Sequence, residues 1–402
     1  MNLRNIGVSM VVALCSLMMS SCDLARLASP TTKPAAIARF TAIAPLIKRG
    51  AHVLRLPAGQ YQLGPGTVEI PADFQLVGAG PATVIHLVPG TKLALRLGRG
   101  ARLSQLRFDC QGVVAGSVGD FLILVPPGVS GVTLDNLEIL DCPRTAIGLD
   151  HAADAVIRHC RFQRIAMAMN VLFSRNVRVE DNTVIDAKIH GVEFWGNWHW
   201  KQQVADNLLF SGNTVLNGGN CCIWGSGGRH VIISNNFVDG AKDIGLDLEW
   251  CSDSVISSNI ARRCRNAGIA LFFACRNVAI TGNSVANDAA ISAKDAKADW
   301  WVRSGIWLTY PNRKTFGSDH GHENITIVGN AITCAPGHRR AIWVGSEVRN
   351  VVIASNAIVG GQVWFGGHDG EHPMRLKLEP SNVVLGTECP LPSATTQPTS
   401  SP

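Results

Sequence analysis

From residue 130 onward one short pattern keeps returning: an apolar pair, a polar step, an Asn, and an apolar residue two positions later. It reads VRVEDNTV ending at Val184, FSGNTV at Val215, VIISNNFV at Val238, VAITGNSV at Val285, ITIVGNAI at Ile332 and VVIASNAI at Ile358. The Asn column is Asn182, Asn213, Asn236, Asn259, Asn283, Asn330 and Asn356, and Leu106, Leu137 and Cys160 fill the same slot in earlier turns. Most steps are 22 to 24 residues, with longer steps of 31 and 47 where insertions are needed. About nine residues after each Asn comes a second apolar segment: GVEFW, CIWGS, GLDLE, GIALF, GIWLT and AIWVG. These alternate with period two, so they read as strands and not helix. Such a turn cannot cover its inner face alone. Turns stacked on one another do, and identical residues then lie above each other. An Asn column suits this arrangement, because a carboxamide at a bend bonds the backbone of the next turn; these Asn residues read as structural and not catalytic.

Composition supports one elongated unit. At 402 residues the chain would ordinarily make two or three domains of about 150 residues. Yet charged residues are only 16% of it and hydrophobic residues 46%, against a usual charged share of roughly 25%. A long, weakly charged repeat buries a continuous core. After the first 22 residues no apolar run approaches the ~18 that would span a bilayer. A net charge of +6, scattered along the chain, gives no basis for a nucleic-acid partner.

The repeat, together with the opening run Leu56-Pro57-Ala58-Gly59-Gln60-Tyr61, Phe74-Gln75-Leu76-Val77-Gly78-Ala79-Gly80 and Thr83-Val84-Ile85, resembles the right-handed parallel β-helix proteins of the pectate-lyase-like superfamily. The resemblance implies an all-β solenoid of about ten to twelve coils over residues 50–390, with a helical cap between Pro34 and Arg49 carrying Ile37, Phe40 and Ile43. It also implies a carbohydrate partner. Residues 391–402 read as a disordered polar tail.

Counting alternation from the small lead-in residue of each second strand (Ala146, Gly191, Cys222, Gly245, Gly268, Gly305, Ala341) places Glu193, Trp224, Asp247, Ala270, Trp307 and Trp343 outward, and Trp195, Glu249 and Phe272 beside them. Phe194, Leu248 and Leu271 then point inward. Asp247 and Glu249 are same-face neighbours at roughly 6.5 Å between Cα atoms, while Glu193 and Asp247, two turns apart, are separated by about 9.6 Å. Both spacings lie near those of glycosidic-bond hydrolysis, where one carboxyl protonates the leaving group and the other attacks or activates water. Asp247 and Glu249 are the expected catalytic pair, with Glu193 assisting; surface carboxylates without a catalytic role are the alternative. Trp224 lies between Glu193 and Asp247, either as a sugar platform or as an obstruction.

All ten Trp fall between residues 195 and 364. Trp195, Trp224 and Trp307 are expected as exposed faces on which sugars stack, and Trp198, Trp200, Trp300, Trp301 and Tyr310 mark insertions that would wall a groove. Lys188, Lys242, Arg265 and His338 form a basic column interrupted by Gly219. With His190 and His199, this column offers the base and the cation that elimination or epimerisation of a uronate needs. Lyase or epimerase chemistry is therefore the first alternative, and a non-catalytic polysaccharide-binding or scaffold protein the second. No organic cofactor is called for. The loop Ser318–Glu323 has a metal-like composition, with Ca2+ the ion considered, although such loops mostly face solvent.

The N-terminus MNLRNIGVSMVVALCSLMMSSC reads as an export signal over residues 1–22, and Met19-Ser20-Ser21-Cys22 resembles a lipobox with Met in place of the usual Leu. The expectation is a monomeric protein of the periplasm or cell surface, held to a membrane only by a lipid on Cys22, with a linker beginning at residue 23. Export permits disulfides, and Cys110 with Cys142 is one candidate pairing; most of the cysteines read as small buried hydrophobes.

Overall fold

A computed structural model describes residues 40–47, 52–197, 205–287, 304–309, 321–334, 340–345 and 348–365, and the backbone alone of strands Met374–Leu378 and Val383–Leu385. Its strands form two parallel sheets, one of 25 strands and one of 12. A typical coil sends two strands into the larger sheet and one into the smaller. Arg175–Glu180 pairs with Ala205–Ser211, Thr183–Ala187 with Thr214–Gly218, and Val192–Trp195 with Ile223–Ser226. The chain is thus an all-β solenoid of about 12 turns.

The Asn column is a hydrogen-bond ladder. Asn182, Asn213, Asn236, Asn259, Asn283, Asn330 and Asn356 are all buried. Each of the first six donates from its backbone N–H and its Nδ2 to the Oδ1 of the Asn one coil on, at 2.9–3.0 Å. Nδ2 also donates to a carbonyl of the preceding coil, as in Asn236 to Phe210 O at 2.9 Å. Cys160 N–H donates to Asn182 Oδ1, which places Cys160 in the expected slot. The apolar residue two after each Asn explains the small lead-in residues: a Cβ on Gly191, Gly268 or Gly305 would collide with Val215, Val285 or Ile332.

A second, exposed ladder runs along the larger sheet. Asp154, Asn176, Asn207, His230, Asp253, Asn277, Asn324 and Asn350 all have φ between 51° and 58°. Asn and Asp tolerate that left-handed conformation best among non-glycine residues. The amides link coil to coil, Asn207 to Asn176 at 2.9 Å and Asn324 to Asn277 at 2.8 Å.

At the N-terminal end the expected helical cap takes a different form. Over its described part, Thr41–Ala42 adds a short strand against Tyr61–Gln62, and Ala44–Leu46 forms a single 3-10 turn. Pro45 fits that first turn, while Ile43 fills the core and Phe40 stacks on His86 at 4.5 Å. Ile37 lies outside the described residues, as do the leader, Cys22 and the polar tail. The nine described cysteines are buried free thiols, Cys110 and Cys142 among them, so the candidate pairing of those two is not a disulfide.

Candidate functional site

The smaller sheet positions the acidic residues. Its relevant strands are β1 (Met167–Leu172), β2 (Val192–Trp195), β3 (Ile223–Ser226), β4 (Ile244–Glu249), β5 (Ala267–Phe272), β6 (Ser304–Leu308), β7 (Arg340–Val344) and β8 (Gln362–Phe365). Their register lines up Asn170, Glu193, Trp224, Asp247, Ala270, Trp307, Trp343 and Trp364 in one row. A second row holds Leu172, Trp195, Ser226, Glu249 and Phe272. Phe194, Leu248 and Leu271 face the core, so both rows lie on the outer face as expected. The reason differs from simple alternation. The lead-in residues Ala146, Cys222 and Ala341 are themselves in the core, as are Ile147, Ile223 and Ile342 directly after them. Two successive inward residues mark a corner of the coil, and alternation begins only beyond it.

The outer face is more covered than the sequence suggested. Glu193 is 6% exposed and Asp247 3%, while Glu249, Trp224 and Phe272 are half-buried. Trp195 and Trp307, expected as exposed platforms, are 9% and 5% exposed. Their faces meet other rings: Trp307 stacks on Trp343 at 4.9 Å and 4°, and Trp195 on Trp224 at 5.7 Å. Trp224 also stacks on His190 at 5.3 Å. His190 and Trp195 flank Glu193 along the chain, so the indole of Trp224 lies across Glu193 and divides it from Asp247.

Burial dominates the electrostatics, because desolvation disfavours a charged carboxylate. It pushes Glu193 up to about 8 against the pull of the Asn170 Nδ2 hydrogen bond at 3.0 Å, with Glu249 adding to the rise. Glu249 is likewise pushed up to about 8 by burial, although its Oε1 accepts from Trp224 Nε1 at 3.1 Å, which favours the ionised form. Asp247 is held well above the usual carboxylate range by burial first, then by the charges of Glu249 and Asp243. Its Oδ2 faces the Cys221 thiol at 3.9 Å, and its Oδ1 has no partner. Burial also holds His190 down to about 3 and therefore neutral. Its Nδ1 accepts from the Cys221 backbone N–H at 3.2 Å, which leaves the ring proton on Nε2, 3.9 Å from Glu193 Oε2.

The basic column is present but stands apart from the carboxyls. Lys188, Lys242 and Arg265 lie at one bend of nearby coils, all exposed, with Gly219 packed on Lys188. Among the described residues, the charged groups that shift Glu193, Asp247 and Glu249 are other carboxyls, and Arg265 acts on Asp243. His338, His199, Trp198, Trp200, Trp300, Trp301 and Tyr310 lie outside the described residues, as do Ser318–His320. In the rest of that loop, His322 is a buried bend residue whose Nδ1 accepts from the Cys275 N–H at 3.2 Å, and Glu323 pairs with Arg276. Asn170 and Cys221 were missed. Asn170 sits in the Glu193 row one coil earlier, and the lead-in Ala168 of MAMNVL was the available signal.

Residues 199–332, a third of the chain, match the family model described as a right-handed β-helix region. The fold is a right-handed parallel β-helix. Among solved structures it is similar to the A-module of the mannuronan C-5 epimerase AlgE6 of Azotobacter vinelandii, with 14% identity and a TM-score of 0.62 over 84% of this chain and 92% of that one. A double mutant of the periplasmic alginate epimerase AlgG aligns with 12% identity and a TM-score of 0.64 over 82% and 79%. The catalytic domain of a GH87 α-1,3-glucanase in complex with nigerose aligns with 11% identity and a TM-score of 0.57 over 90% and 70%. No curated protein matches the chain in sequence.

Proposed function

We propose that this protein cleaves glycosidic bonds of an uncharged polysaccharide, with Asp247 as general acid and Glu249 as the carboxylate that attacks the sugar or activates water. The observation that carries the proposal is the asymmetry of the pair. Glu249 accepts a hydrogen bond from the Trp224 indole, which stabilises its ionised form, whereas Asp247 has one oxygen unpartnered and the other against a thiol. Of these two neighbouring carboxyls the first to ionise is therefore Glu249, and its charge makes Asp247 hold its proton more firmly. A pair with one proton between two different environments is what acid-assisted glycoside cleavage uses. Glu193, neutral beside Asn170 and across Trp224, assists by holding substrate and not by transferring the proton.

An uncharged glycan fits best because a uronate would meet three carboxyls, while the Arg340 guanidinium, over the Trp343 and Trp364 rings, stands three coil steps from Asp247. The likeness to a glucanase and to alginate epimerases is compatible with a glycan partner. We place the protein outside the cytoplasm, as a monomer anchored through a lipid on Cys22.

The test is product analysis on neutral and uronic glycans. New reducing ends from a neutral glycan, lost in Asp247→Asn and in Glu249→Gln, support the proposal. Unsaturated, ultraviolet-absorbing ends from a uronic glycan would move the chemistry to the Lys188–Lys242 edge, and binding with no product would make this a scaffold.

A further inference from the structure

Three buried polar atoms in one row of the smaller sheet have no hydrogen-bond partner: Asn170 Oδ1, Asp247 Oδ1 and Trp307 Nε1. The row runs Asn170, Glu193, Trp224, Asp247, Ala270, Trp307, so the outer two are five coil steps apart, about 24 Å at ~4.8 Å per step. Turning the Asn170 amide over changes which of its atoms faces Glu193 but still leaves one unpaired. Each such atom costs ~1–3 kcal/mol if nothing satisfies it, and native proteins hold few of them. Such atoms occur elsewhere among the described residues, at Arg107 and His322 for example, but these three share one row of one outer face.

The atoms also differ in kind. The indole N–H only donates, and the amide oxygen only accepts. An anion such as phosphate would pair with the first and be repelled by the carboxyls, and a metal cation would gain nothing from the indole. Hydroxyl groups both donate and accept, so a neutral sugar chain satisfies every member of the row. Solvent reaches the row beside Trp224, Glu249 and Phe272, which are half-buried.

We infer that Asn170 and Trp307 are the outer hydrogen-bonding positions of a glycan track that runs parallel to the coil axis across six coils, centred on Asp247. This deepens the hydrolase reading and rests on it for the identity of the ligand. In the track the Trp307 edge, and not its face, meets the sugar, since its face is stacked on Trp343. Asn170 has a double duty: one end of the amide orients Glu193 and the other takes a sugar hydroxyl.

The test uses the full chain with Glu249→Gln to stop turnover, and calorimetric titration with a length series of neutral gluco-, manno-, galacto- and xylo-oligosaccharides. Affinity should rise with length and then level off. Trp307→Phe removes the N–H together with part of the bicyclic ring; it should weaken the longer oligosaccharides about tenfold and leave the shortest unchanged. Asn170→Ala should do the same from the other end. Because the indole N–H is unpaired in the free protein, replacing Trp307 by its benzothiophene isostere, β-(3-benzothienyl)alanine, which keeps both rings and lacks the N–H, should not lower the urea midpoint. A lowered midpoint means that the N–H is satisfied within the protein, and it overturns the inference. Cleavage with length-independent affinity, or with no effect of either variant, overturns the track and leaves the hydrolase reading standing. Track-dependent binding without cleavage by the parent chain does the reverse. No binding and no cleavage across the series sinks both.

Discussion

Asn236 sits in the middle of the buried ladder, and its removal should be among the costliest single changes the fold can suffer. Its Nδ2 donates to Phe210 O at 2.9 Å, Ser234 O at 3.0 Å and Asn259 Oδ1 at 2.9 Å, and its Oδ1 accepts from both the backbone N–H and Nδ2 of Asn213. In Asn236→Ala, Asn213 Nδ2 keeps Val179 O, and Asn259 Oδ1 keeps the backbone N–H of residue 236. The Asn213 backbone N–H has no such reserve. One orphaned buried donor costs ~1–3 kcal/mol, and the four remaining lost bonds are worth about 1 kcal/mol each, giving a total of about 5–7 kcal/mol. Asn350→Ala, in the exposed ladder, removes one Nδ2 bond to Asn324 at 2.9 Å that water replaces, and should cost under about 1 kcal/mol. Urea unfolding followed by circular dichroism measures both, with unchanged slopes confirming that the same surface unfolds. Asn236→Asp adds a check: it retains the acceptor but loses the donors, and should regain stability in acid as its carboxyl takes up a proton. Equal losses at Asn236 and Asn350, or a loss under 1 kcal/mol at Asn236, would refute the claim that the carboxamides hold the coils in register.

Other outcomes follow from the site. Because Glu249 must be ionised to act and is pushed up to about 8, kcat/KM should climb roughly 50-fold between pH 6 and pH 8. Trp224→Phe, which removes the N–H held by Glu249, should shift that rise to higher pH; a profile flat above pH 5 would exclude Glu249 as the base. Glu193 is also raised to about 8, so the folded state binds a proton that the unfolded state releases near its ordinary value of 4.5. Its contribution to stability is therefore full below about pH 4.5 and is lost as pH rises to about 8, by up to ~1.4 kcal/mol per pH unit. Urea midpoints of Glu193→Gln should show a shallower decline over that window than the parent chain. Asp247→Asn and Glu249→Gln should each lower kcat by about 10²–10⁴ while retaining oligosaccharide binding. Cys22→Ala should move the protein from the membrane fraction to the soluble one; unchanged fractionation would count against lipidation.

The sequence was most legible where one residue type does one job in every coil. The seven buried Asn residues could be found because each carboxamide bonds its counterpart, which excludes almost any substitute. The outer position of Glu193, Asp247 and Glu249 was legible from alternation, even though the count began at residues that line the core, since the coil turns a corner between Cys222 and Ile223. Coverage was not legible. Period-two patterning tells which way Trp195 and Trp307 point, but their stacking depends on Trp224 and Trp343 one coil away and on what lies over the face. The second ladder was overlooked because its member six residues before each buried Asn varies among Asn, Asp and His. What unites those residues is a tolerance of positive φ, a backbone property and not a hydropathy one. Asn170 escaped for a related reason: a polar residue in MAMNVL breaks an apolar run, and only its neighbour Glu193 gives it meaning.

The buried ladder spans very different lengths of chain with the same bond. Asn182 reaches Asn213 across 31 residues at 3.0 Å, Asn213 reaches Asn236 across 23 at 3.0 Å, and Asn283 reaches Asn330 across 47 at 2.9 Å. The ladder therefore acts as a ruler that ignores how much sequence lies between its marks. Lengthening or exchanging a loop leaves the frame's bookkeeping of coils untouched, so the sequence inserted between Asn182 and Asn213 or between Asn283 and Asn330 can diverge freely while the scaffold stays recognisable. A protein built this way changes what it accepts by editing between the marks, and whole coils can be gained or lost as single units of inheritance.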